Sequence, residues 1–176
     1  MKRRYAVLAA VLGSVGGYSL ALIPTPEKVS VSGGEYMSMP VEELRLLTYS
    51  TKTMTLTAQR SQAGAPFLVQ ATFADGRPSQ RCTASPDLAG QLEAFTRFVS
   101  KRGLTINQLD EEFPVQHGVL DLRNQMDPEP GGPYLVYTDK AAKSTALVSY
   151  GTAVELTMPL AAFRQLEMGC EGLSRK

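Results

Sequence analysis

Residues 5–23 carry no charge and follow directly on Lys2-Arg3-Arg4; no other feature of the sequence limits the fold as much. Wound into a helix at 1.5 Å per residue, such a run reaches about 28 Å, close to the hydrocarbon thickness of a bilayer. Three positive charges before it, and a following region that includes Glu27, orient the N-terminus to the inside and the rest of the chain to the outside. Pro24 and Pro26 then end the helix, because proline lacks the amide donor that a continuing turn requires. The sequence therefore predicts a signal anchor or transmembrane helix over 1–23, a linker over 24–41 and an exported domain over 42–176. The implied location is the bacterial inner membrane, single-pass, with the N-terminus cytoplasmic and the C-terminal domain periplasmic.

Two readings of the leader stay open. Ser19-Leu20-Ala21 has the small-residue character of a signal-peptidase site, which would release a soluble domain. Against cleavage, Ala9, Gly13, Gly17 and Ala21 recur every fourth residue and line one face of the helix, a stripe that lets a second transmembrane helix approach closely. The length of the apolar run favours retention.

Beyond the leader, 27–40 is rich in Ser, Gly and Pro, as linkers are. Over 42–58, Thr51, Thr53, Thr55 and Thr57 alternate with other residues, a period-two pattern that suits one or two half-exposed strands broken near Ser50. Residues 67–73 and 78–83 flank Ala74-Asp75-Gly76-Arg77, and Asp-Gly takes positive φ readily, so a tight hairpin is expected there. Ser85 and Pro86 then open a helix in which Leu88, Leu92, Phe95, Phe98 and Val99 share a face, with Arg97, Lys101 and Arg102 near its end and Gly103 as its stop. Short strands are expected over 104–109 and 119–122, an exposed Pro/Gly loop over 124–133, and strands over 134–138, 145–150 and 152–158. Pro159 begins a last helix that Gly169 ends.

Residues 67–102 and 145–168 thus share one order of elements: strand, turn, strand, proline-initiated helix. The fold class expected is α+β, with one N-terminal transmembrane helix followed by a two-layer domain of antiparallel β-hairpins covered by helices; an internal ββα duplication is one reading of the shared order, which rests on elements and not on residue identity.

Few residues offer chemistry. A net charge of +1, from 18 basic and 17 acidic side chains, argues against nucleic acid as a partner. Cys82 and Cys170 sit at the rear of the two repeats and are candidates for a disulfide in an oxidising compartment; two buried free thiols are the other reading. His117, the one histidine, would have to be any triad base, but a solvated or hydrogen-bonded loop histidine accounts for it more simply. Asp110-Glu111-Glu112 reads as a solvated acidic face, since adjacent carboxylates point in different directions. Tyr134, Tyr137, Tyr150, Phe67 and Phe73 read as core and sheet-surface residues. No catalytic, cofactor or metal residue is assigned.

The Lys2-Arg3-Arg4 anchor, the Pro24/Pro26 exit and the strand, Asp75-Gly76 turn, strand, helix order together resemble small anchored periplasmic ββα-type domains of unknown function, associated with bacterial inner-membrane complexes. The expected function is a non-catalytic accessory or scaffolding subunit of such a complex, in transport, secretion, respiration or photosynthesis. Its partners would be other subunits and membrane lipid. The alternative is a soluble periplasmic binding or chaperone-like module released by signal peptidase.

Overall fold

The computed structural model describes residues 33–124 and 133–171. Ten strands form one antiparallel sheet: β1 (Glu35–Ser38), β2 (Leu44–Thr51), β3 (Met54–Gln59), β4 (Leu68–Phe73), β5 (Gln80–Thr83), β6 (Arg97–Leu104), β7 (Val115–Asn124), β8 (Tyr134–Thr138), β9 (Thr145–Ser149) and β10 (Thr152–Leu156). Three helices accompany them: α1 (Pro86–Ala94), α2 (Ile106–Glu112) and α3 (Leu160–Glu167). Across the sheet the strands run β1-β6-β10-β9-β8-β7-β2-β3-β4-β5.

That order contains a repeat larger than the sequence suggests. The strands β2 to β5 form a meander followed by α1, and β7 to β10 form a second meander followed by α3. The two lie back to back through the antiparallel pair β2–β7, with Leu47 opposite Leu122 and Tyr49 opposite Leu120. The unit is ββββα, not ββα.

Period-two burial explains the layers. Leu47, Ala58 and Val69 stand in one cross-strand row, and Tyr49, Leu56 and Ala71 in the next. All six are buried against the inner face. Both α1 and α3 cover that face, and Phe95 at the end of α1 meets Phe163 of α3 edge-on at 5.1 Å. Phe98 of β6 and Tyr134 of β8 approach to 6.1 Å with two strands between them, so the sheet is concave toward this core. On the outer face α2 sets Leu109 and Phe113 against Ala146 and Ala153, with Leu104, Tyr137 and Val148 around them.

The expected fold class is therefore corrected. Strand makes up 47% and helix 20% of the structure, and helices lie on both faces of one continuous sheet, in place of two layers of hairpins and helices. The transmembrane and single-pass expectations are corrected for the described residues, among which no helix is long and apolar enough to cross a membrane; the signal-anchor expectation falls on the leader. Residues 1–23 lie outside the described residues. The expected linker over 24–41 contains β1, which pairs with β6.

Three local expectations change as well. The helix from Pro86 ends at Ala94, and residues 97–104 are strand β6. Phe98 and Ser100 are buried at alternate positions, because this segment fills the gap between β1 and β10, and strand pairing on both sides outweighs helical spacing. Gly103, expected as a helix stop, pairs with Val154. The strand expected over 104–109 is helical from Ile106, where the Thr105 hydroxyl accepts from the Gln108 amide and the Gln108 side chain accepts from the Thr105 amide. Finally, the Asp75–Gly76 connection is wide, with the β4–β5 ladder ending at the Ala71–Gln80 pair. The tight turn belongs to β9–β10, where Tyr150 (φ 49°) and Gly151 (φ 78°) alone separate Ser149 from Thr152.

Candidate functional site

Two places concentrate what this chain can offer chemically. The first lies on the inner face at the foot of α3. The β7–β8 register slips between Gln116 and Gly118, which makes His117 the extra residue of a bulge. From there its Nε2 lies 2.6 Å from Glu167 Oε1, in the last turn of α3. Both side chains are partly exposed, at 20% and 27%.

Beneath them is Tyr49, fully buried, with its hydroxyl beside the Glu167 carboxylate and in no aligned hydrogen bond. Burial, and then the negative charge of Glu167, push the phenol far above its ordinary range, so it stays protonated. Gly118 makes the arrangement possible: a Cβ there would stand 2.9 Å from the Tyr49 ring and 2.8 Å from the Ser50 carbonyl. Glu167 thus stands between the His117 imidazole and a phenol that stays protonated.

The disulfide stands beside this cluster. Cys82 of β5 and Cys170, just beyond α3, are joined, with their Cα atoms 6.1 Å apart. The Gln80 Oε1 accepts the Cys170 amide at 2.9 Å, a second tie between the same two segments. Gly169 makes the close approach, with φ 58° and room for no side chain, since a Cβ would meet the Ala71 Cβ at 3.0 Å.

The second place is the outer face. While α2 covers the half built from β6 and β8 to β10, nothing among the described residues covers the half built from β7 and β2 to β5. Three cross-strand rows lie open there. One reads Asp121, Thr48, Thr57, Gln70, Arg81; the next Val119, Ser50, Thr55, Thr72; the third Arg123, Leu46, Gln59, Leu68, Thr83. Hydroxyls and amides fill the middle, Leu68 is 62% exposed, and the margins carry charge, with Arg123 paired to Asp121 at 2.9 Å.

The other sequence-derived candidates are placed as follows. Ala9, Gly13, Gly17 and Ala21 lie outside the described residues. Asp110, Glu111 and Glu112 lie on α2, where Glu112 bonds to Arg102, whose Nε bonds in turn to Glu155 at 2.8 Å. Burial disfavours the charged form of Glu155, but Arg102 and Lys101 outweigh it and hold its carboxyl below the usual range. This network ties α2 to β6 and β10. Most of the expected 124–133 loop also lies outside the described residues.

The sequence points to His117 but not to its partner Glu167 or to Tyr49 beside that carboxylate, which come from other elements of the fold. Among the described residues no group of three or more His, Cys, Asp or Glu side chains is placed to hold a metal ion. No protein-family model, curated protein or solved structure matches the chain.

Proposed function

We propose that this protein is a non-catalytic accessory subunit of a protein complex outside the cytoplasm, and that it works by docking another protein on the half of its outer sheet face that no described residue covers. The observation that carries the proposal is the unequal covering of the outer face. One half is sealed by Leu109 and Phe113 of α2, whereas the other offers five strands of hydroxyl and amide groups around the exposed Leu68. Such a surface is wet and adaptable, in keeping with a non-obligate contact. Export is supported by the Cys82–Cys170 bridge, since disulfides persist in oxidising compartments, and by the basic and apolar leader of the sequence.

The test is comparative. Wild-type protein, cross-linked in its native cells, is expected to capture a defined partner. A Thr57→Arg/Gln70→Glu variant should keep its circular dichroism spectrum and lose that partner, while Glu111→Lys on α2 should keep it. Equal capture by the Thr57/Gln70 variant, or no partner with the wild type, would refute the proposal.

A further inference from the structure

The last turn of α3 is where the separate ties of the molecule converge. With eight residues, α3 is well below the about 12–15 that a helix needs to persist unaided, so it is helical because it is held. Its first two turns are held by packing: Leu160, Phe163 and Leu166 are buried, and Phe163 lies against both Tyr49 and Phe95. The final turn is held otherwise. It depends on the His117–Glu167 contact, the Gln80–Cys170 hydrogen bond and the Cys82–Cys170 bond. Two of them reach β5, an edge strand whose sole neighbour in the sheet is β4. Cys82 and Cys170 are both partly exposed at the border of the core.

We propose that the Cys82–Cys170 disulfide is a redox latch on α3. A dithiol reductant attacks one sulfur to form a mixed disulfide, and its second thiolate then displaces the protein thiol. The balance is two protein thiols gained and one external disulfide formed. With the bond open, the turn from Glu167 onward leaves β5, the His117–Glu167 contact breaks, and the Tyr49 hydroxyl and the edge of β5 become accessible. The β2–β7 seam and the packed turns of α3 remain in place. Because the released segment is on the inner face and the proposed docking surface on the outer, this inference stands independently of the proposed function.

Amide hydrogen exchange on the full chain, oxidised and after dithiothreitol, tests it. Segments 167–171 and 80–84 are expected to exchange at least about tenfold faster when reduced, with residues 160–166, β2, β3 and β7 unchanged. The single histidine supplies a second reading, because its ring proton signals report on His117 alone. They should shift on reduction, and a Cys82→Ser/Cys170→Ser variant should show the reduced pattern without reductant. Equal exchange in both states, unmoved histidine signals, loss of protection across β2 and β7 together with α3, or a double variant that fails to fold would each overturn the latch.

Discussion

A single missing side chain decides the geometry at the foot of α3. Gly118 leaves room for the Tyr49 ring beneath the β7 bulge, and the bulge turns His117 toward Glu167. Gly118→Ala would place a methyl within 2.9 Å of that ring and 2.8 Å of a backbone carbonyl that cannot yield. It should therefore cost about 1–3 kcal/mol through overpacking, read as a lower urea midpoint, and should also move the His117 ring signals. Stability equal to the wild type would show that Tyr49 can retreat. Sequence alone makes His117 conspicuous as the one histidine, yet Glu167 lies 50 positions away on another element, and no local pattern joins them. Arg60 shows the same limit. Its buried guanidinium donates to the Leu44 carbonyl at 2.7 Å, pairs with Glu93 at 3.2 Å and lies over the Phe67 ring, and none of these partners is adjacent in sequence.

Elements whose ends are written in local chemistry are legible. The Ser85 hydroxyl caps α1 and Pro86 opens it, Pro159 precedes α3, and Gly169 closes it with positive φ. Thr105-Ile106-Asn107-Gln108 is an equally plain capping box and was legible as the start of a helix. It is masked by the spacing of Leu92, Phe95, Phe98 and Val99, which imitates a helical face across the turn between α1 and β6. The hairpin turns teach a related lesson. Asp75-Gly76 has the preferred residues but a wide loop, while Tyr150-Gly151 makes the tight turn with a tyrosine in the left-handed region. Tyr150 is 80% exposed, so packing gives little in return for that backbone conformation. Tyr150→Asn should stabilise the protein by about 0.5–1 kcal/mol, measured as a rise in melting temperature. A fall would mean that the ring makes a contact worth more than the turn loses.

At the scale of the molecule, two ββββα units share one core. Phe163 stands at their junction, fully buried, with Tyr49 of the first unit at 5.8 Å and Phe95 at 5.1 Å. Phe163→Ala should cost about 3–5 kcal/mol, and unfolding should remain a single transition by circular dichroism and by tyrosine fluorescence, because the β2–β7 seam couples the halves. Two separate transitions would show that the units melt independently. The sequence by itself determined most strands, the starts of α1 and α3, and the threonine alternation that leaves Leu56 to the core, because these follow from local propensity and period two. Only the tertiary structure decided that 97–104 is a strand, that ten strands share one sheet, and that Tyr49, His117 and Glu167 meet. Each of those depends on hydrogen bonds and packing between segments far apart along the chain, which a local pattern cannot encode.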